Sequence, residues 1–194
     1  GTYAGTPAII FQGRGYHSLT KVVNGESTSV WQCYNIRTGE VYWERTGVSV
    51  PNTLNYNRFG ASAPGAGETG MGKGGSWGFV SLVYIGGGNL IKYDPWTGAV
   101  TRNISISPLT TGTVYMEPYA LSIQTIGSGA SAQYRLINWT LTDVNDAGTL
   151  LTMAQRIQSN ISWPFSSLGT VDYEAGVTVT TYGAVGAATG IALD

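Results

Sequence analysis

The chain has 194 residues and a net charge of −1; only 11% of it is charged, yet 42% is hydrophobic, with 28 Gly, 6 Trp and 12 Tyr. That is enough apolar material for one sizeable core, and all-β folds commonly reach this length as a single unit. The near-neutral charge without a Lys/Arg cluster excludes the electrostatic footprint of nucleic-acid binding, the single Cys33 and single His17 exclude an internal disulfide framework and any Cys- or His-rich metal centre, and no apolar run reaches the roughly 18 residues of a membrane-spanning helix.

The chain opens at Gly1 rather than Met and shows no signal-peptide pattern, as expected of a mature or excised piece. The first apolar run, residues 7–11 (PAIIF), reads as a strand bounded by polar turns. Residues 30–47 (VWQCYNIRTGEVYWERTG) read as strand, corner, strand. At the corner, the side-chain oxygen of Asn35 can accept a bond from a backbone N–H two residues on, and Gly39 can supply the positive φ that closes the turn. Beyond it, Val41 and Trp43 share one strand face and Tyr42 lies on the other.

A long loop is predicted over 52–75. It contains GAGETGMGKGG, residues 65–75, which satisfies the spacing G-x-G-x-x-G and nearly a Walker A motif. A phosphate-binding loop needs a strand before it and a helix after it, with a hydroxyl following the Lys to hold magnesium. Here Gly74 replaces the hydroxyl, residues 57–64 read as loop, and residues 75–84 read as strand. The stretch is therefore read as a glycine-rich connection rather than a nucleotide site, although long loops on a rigid scaffold often carry binding.

Residues 79–85 (FVSLVYI) form the next apolar strand. Residues 89–105 (NLIKYDPWTGAVTRNIS) then repeat the first corner, with Asp94 in the slot of Asn35 and Thr97-Gly98 repeating Thr38-Gly39 59 residues on. Residues 119–126 read as a strand. YRLINWT, residues 134–140, puts Asn138 in the same slot, and TGIALD, residues 189–194, puts Asp194 there. Residues 147–157 carry the one short helical pattern, and residues 176–182 read as a further strand. Recurrence of several short strands at intervals of about 43 to 59 residues signals a β-propeller. The predicted fold is all-β, a propeller of four-stranded antiparallel blades over 1–48, 76–106, 113–142 and 170–194, the last incomplete. A closed ring of three to four blades is rare, so a partial ring of a larger propeller is expected.

The pattern N-x-x-T-G-x-x-x-W at Asn35, Thr38, Gly39 and Trp43 resembles the tryptophan-docking motif of PQQ-type, quinoprotein-like propellers. Asp94-Pro-Trp-Thr-Gly98 looks like a second copy, with Arg102 where its Trp would stand, and Ala192-Leu-Asp194 looks like the opening of another. The resemblance implies that Trp43 packs between neighbouring blades. The richness in Tyr, Trp and N-x-S/T is similar to archaeal cell-surface propellers of that superfamily, which implies an extracellular or cell-surface location.

Other candidate sites are weaker. Asp143-Val-Asn145-Asp-Ala-Gly148 opens like a calcium loop, but Ala147 and Ala154 stand where an EF-hand needs oxygen donors, so an Asx turn is the simpler reading. Asp172 and Glu174 share a strand face, but glycosidase chemistry needs a second carboxylate across a cleft. His17 and Ser18 are adjacent and point to opposite strand faces, so they do not make a base–nucleophile pair. Sequons for N-glycosylation occur at Asn103, Asn138 and Asn160, with Asn103 expected on an outer strand and Asn160 in a loop. Trp77, Trp96, Trp139 and Trp163 lie beside turns or loops, where they either stack on sugars and anchor a protein partner or pack between blades.

The expected function is a non-catalytic, exported or cell-surface propeller serving as a scaffold, interaction or assembly module. Its expected partners are proteins or further copies of itself, through unpaired blade edges, with glycan binding through the aromatic loops as an alternative. The resemblance implies a second alternative, an oxidoreductase holding PQQ and calcium at the ring centre. Some enzymes of that family set a vicinal cysteine pair against the cofactor, which one Cys does not provide. No catalytic, cofactor-binding or metal-ligating residue, and no transmembrane segment, is assigned.

Overall fold

The computed structural model describes residues 7–51, 53–56, 80–116, 118–145, 149–172, 177–182 and 187–192. Strands β1 (Ile9–Phe11), β2 (Arg14–Val23), β3 (Glu26–Asn35) and β4 (Val41–Thr46) form a first four-stranded sheet. β5 (Thr53–Tyr56), β6 (Val80–Gly86), β7 (Asn89–Tyr93) and β8 (Val100–Ser105) form a second. A third holds β9 (Thr113–Met116), β10 (Tyr119–Ile126), β11 (Gln133–Thr140) and β12 (Ile157–Trp163), and a three-stranded sheet holds β13 (Thr170–Asp172), β14 (Val177–Tyr182) and β15 (Ala187–Ala192). In every sheet each strand lies beside its sequence neighbour, so all four are simple meanders.

The chain is thus all-β. Two boundaries differ from the sequence expectation. β5 falls inside the stretch read as loop, and the third sheet runs on to Trp163 rather than stopping at 142. Within the segment read as helical, one turn forms, α1 (Met153–Arg156). A capping box starts it: the Thr152 hydroxyl accepts from the Gln155 N–H, and the Gln155 side chain accepts from the Thr152 N–H.

A tight turn joins β2 to β3. Asn24 and Gly25, with φ of 54° and 85°, make the two-residue turn whose twist matches the flanking strands β2 and β3. β2 pairs with β3 without a break from Arg14↔Asn35 to Val23↔Glu26, whereas the registers of β3–β4, β9–β10 and β11–β12 each shift once.

The described residues divide into two compact units. The first spans Gly1–Asn55, Val80–Tyr84 and Leu90–Asn103; the second holds the remainder. In the first unit, Ile9, Tyr16, Cys33 and Trp43 stand in one row across β1 to β4. Strand alternation puts them on one face with Phe11 and Trp31, and that face packs on Val80, Leu82 and Tyr93 of the second sheet. The Trp31 ring stands edge-on to Trp43 at 4.7 Å and to Tyr93 at 5.1 Å. Such contacts add about 0.5–1.5 kcal/mol beyond the area they bury. Buried phenols need acceptors and have them: Tyr16 donates to the Pro95 carbonyl and Tyr93 to the Ser49 carbonyl, both at 2.9 Å.

In the second unit, Leu121, Leu136 and Trp163 form a core lined by Ile123, Tyr134, Phe165 and Leu168. Trp139 is fully buried; its indole N–H donates to the Ser122 hydroxyl at 2.8 Å, which donates to the Thr111 carbonyl at 2.6 Å.

Candidate interaction site at the paired corners

The two corners read from the sequence close by the same bonds. At the first, Asn35 Oδ1 accepts from the N–H groups of Arg37 (2.8 Å) and Thr38 (3.1 Å), and the Gly39 N–H donates to the Asn35 carbonyl (2.8 Å). At the second, Asp94 Oδ1 accepts from Trp96 and Thr97 N–H (2.8 Å each), and the Gly98 N–H donates to the Asp94 carbonyl (2.8 Å). Gly39 and Gly98 take φ of 76° and 67°, which a residue bearing Cβ adopts only with strain.

The spare capacity of the two side chains differs. Asp94 Oδ1 also accepts from the Thr97 hydroxyl at 3.0 Å. Asn35 instead has an amide N–H₂, which donates to the Tyr42 hydroxyl at 2.9 Å. A carboxylate accepts only and makes no such bond.

Trp43, on β4, lies against the second corner. A Cβ built on Gly98 would meet three of its ring carbons at 2.8–2.9 Å, so the six-membered ring of the indole packs directly against the bare glycine. Beside it, the Arg45 guanidinium donates to the Thr97 carbonyl at 2.6 Å. The strand that leaves the first corner thereby grips the corner of the second sheet.

Next to this contact, the Arg14 guanidinium carbon lies 4.0 Å from the centre of the Tyr42 ring and 4.7 Å from that of Trp96. Trp96 packs in turn on Phe11, centroids 5.8 Å apart. Arg14 Nη1 donates to Cys33 Sγ at 3.8 Å. Cys33 is a free, fully buried thiol, and burial pushes its pKa up, against the opposing pull of the Arg14 hydrogen bond and charge.

The other face of the first sheet carries a polar row, His17–Gln32–Glu44, one residue from each of β2, β3 and β4. Glu44 accepts from Lys21 and from the Gln32 amide. That acceptor orients the amide, so Gln32 presents its oxygen to His17 Nε2, 2.9 Å away. The Lys21 hydrogen bond is the main cause that holds the Glu44 carboxyl below the usual carboxylate range.

The remaining candidates are dispersed. Trp139 is 0% exposed and Trp163 4%; both are core residues with their N–H groups bonded internally, and neither presents a face to a ligand. Trp96 is half-buried and forms part of the Arg14 contact; Trp77 and Asp194 lie outside the described residues, as does the 65–75 glycine stretch. Asn103 is exposed on β8, as expected. Asn160 is also exposed, but on edge strand β12 rather than in a loop, with Oδ1 accepting from Arg135. Asn138, read as a further corner, instead lies half-buried within β11, paired opposite Leu121 and Ser159, so the weaker copy of the slot forms no corner there. Of the 143–148 stretch, residues 143–145 are described: Asn145 Oδ1 accepts from the Thr149 N–H at 2.9 Å, Val144 bridges Leu150, and Asp143 lies 4.0 Å from the buried Arg156. Asp172 ends β13, and Glu174 is outside the described residues.

Among the described residues no group of three or more His, Cys, Asp and Glu could hold a metal ion, and no helix is long and apolar enough to cross a membrane. No known protein-family model matches the sequence, and a search of curated proteins finds no significant match.

Proposed function

We propose that the protein is a run of β-propeller blades serving as a non-catalytic, exported or cell-surface interaction scaffold. The observation that carries this reading is the seat of Trp43 on Gly98, with Arg45 on the Thr97 carbonyl. A propeller repeats four-stranded meanders about an axis, and each blade must fix its angle to the next. A strand-borne indole seated on the next sheet's Asx-Gly corner is a device for fixing it. It is also what the resemblance to quinoprotein-like propellers implies for Trp43.

The scaffold role is supported by how the polar groups are used. Asn35, Asp94 and Asn145 close turns; Arg156 bonds the Thr140 and Thr142 carbonyls; Glu44 is committed to Lys21 and Gln32. An exported protein would carry glycans on exposed sequons, and both Asn-Ile-Ser sites, at Asn103 and Asn160, are exposed on the last strand of their sheets. The experiment is light scattering and chemical crosslinking over a concentration series, alongside dye reduction after addition of PQQ and calcium. Self-association or a crosslinked protein partner, with dye reduction at background, is expected. A strict monomer without partners, or PQQ-dependent dye reduction, overturns the reading.

A further inference from the structure

We propose that Arg14, clamped between Tyr42 and Trp96, is a preformed anchor for a carboxylate of a protein partner, borne on an acidic residue or on the partner's C-terminus. This deepens the scaffold reading and rests on it. The guanidinium has five N–H donors in a planar fork, and among the described residues the one hydrogen bond it makes goes to the Cys33 sulfur at 3.8 Å, a weak acceptor. Among the described residues no carboxylate pairs with it. The Asp94 carboxylate turns Oδ1 to its own corner and makes no ion pair with Arg14, and Glu44 belongs to the row on the opposite face. A half-buried charge without an oxyanion is unusual, because desolvated charges are ordinarily paired.

The clamp is built before any partner arrives. Tyr42 is held by the Asn35 amide at 2.9 Å; the Trp96 backbone N–H donates to Asp94 Oδ1, and its ring packs on Phe11. With both rings fixed, the guanidinium loses little rotamer freedom on binding. Arg matches a carboxylate with two parallel hydrogen bonds, which a Lys does not reproduce. Around it, Tyr42 is 42% and Ile36 48% exposed, and Arg37 is exposed. Aromatic and Arg side chains beside exposed apolar surface are the composition of protein-binding hot spots, which favours a peptide over a free small anion.

The test follows the side-chain Nε–H resonance of Arg14 in the whole ¹⁵N-labelled protein. Three probes are added: N-acetyl-Leu-Leu with a free C-terminal carboxylate, the same dipeptide amidated, and N-acetyl-Leu-Glu-Leu-amide. One or both carboxylate peptides should shift the resonance saturably, with a Kd of about 1 mM or tighter, and the neutral peptide should not. Which of the two acts tells a C-terminus from an acidic residue. Arg14→Lys should weaken the effective peptide at least about tenfold, whereas Arg135→Lys, on β11 of the second unit, should leave it unchanged. An Arg14 resonance unmoved by both carboxylates, or moved equally by the amidated dipeptide, overturns the anchor whether or not the Lys variant folds. The two readings fail separately: crosslinked partners without an Arg14 shift remove the anchor alone, and a carboxylate-dependent shift in a protein that reduces dye with PQQ removes the scaffold alone.

Discussion

Replacing Gly98 by Ala tests the contact on which the architecture turns. The substitution has two costs. An alanine at φ 67° is strained by about 1–2 kcal/mol. Its methyl would also lie 2.8–2.9 Å from three Trp43 ring carbons. The indole has no easy retreat, because Trp31 stands edge-on at 4.7 Å and Tyr16 lies 6.0 Å away. Forcing one carbon into such a contact costs a further ~1–3 kcal/mol, for a total of about 2–5 kcal/mol. Gly39 is the internal control: its φ is 76°, and an added Cβ there meets nothing within 4 Å, so Gly39→Ala carries the backbone cost alone. Urea midpoints by far-UV circular dichroism report both. The double variant Gly98→Ala with Trp43→Ala should cost less than the sum of its parts by about 1–3 kcal/mol, since the clash needs both partners. Equal midpoints for the Gly39 and Gly98 variants, or strict additivity in the double variant, would refute the seating of Trp43 on the second corner.

Two further predictions concern titrating groups. Glu44 has a lowered folded pKa, so its ion pair stabilises the protein above the unfolded carboxylate value of about 4.3, and the contribution disappears as pH falls through the lower folded value. Both partners are more than a third exposed, so the effect is at most about 1 kcal/mol; Glu44→Gln should flatten the fall of the urea midpoint between neutral and acid pH, and an unchanged slope would deny the pair any role. Cys33 is fully buried with its pKa raised by that burial, so a thiol reagent at pH 8 should label it slowly in the native protein and at once in urea; equally fast native labelling would contradict the Ile9–Tyr16–Cys33–Trp43 row.

What the sequence makes legible is local. The Asx corners depend on bonds spanning two to four residues, so the spacing of Asn35, Thr38 and Gly39 carries them whole, and the recurrence at Asp94, Thr97 and Gly98 carries them again. Strands with polar or mixed faces are harder to see. The bounds of β2 are not legible because RGYHSLTKVV lacks clean alternation: on the face opposite Tyr16 it places His17, which joins the polar His17–Gln32–Glu44 row across β2 to β4. The signal that marks it is Asn24-Gly25, a two-residue hairpin dipeptide. β12, IQSNISW, is similarly polar, and what defines it is its pairing with β11. For Trp139 and Trp163 the sequence leaves packing and ligand contact both open, because each lies beside a turn; both are buried. The Arg14 clamp has no sequence signature, since it assembles from β2, β4 and a corner of the next sheet.

The two corners, laid side by side, separate what holds the fold from what distinguishes this surface. They agree at the Asx, Thr and Gly positions, which make the turn bonds. They differ where Tyr42 faces Thr101, Trp43 faces Arg102, and Arg37 faces Trp96. Both walls of the Arg14 clamp, Tyr42 and Trp96, fall at positions of difference, and each comes from a different copy. Even the Asn35/Asp94 exchange fits: either residue closes its turn, but only the amide can also donate to the Tyr42 hydroxyl and hold that ring over the guanidinium. Repetition therefore accounts for the two turns, while departure from it supplies the Trp43 seat on Gly98 and sets a cation beside two aromatic rings. A packing role alone would ask for neither the amide nor the charge; a site for an anionic partner asks for both.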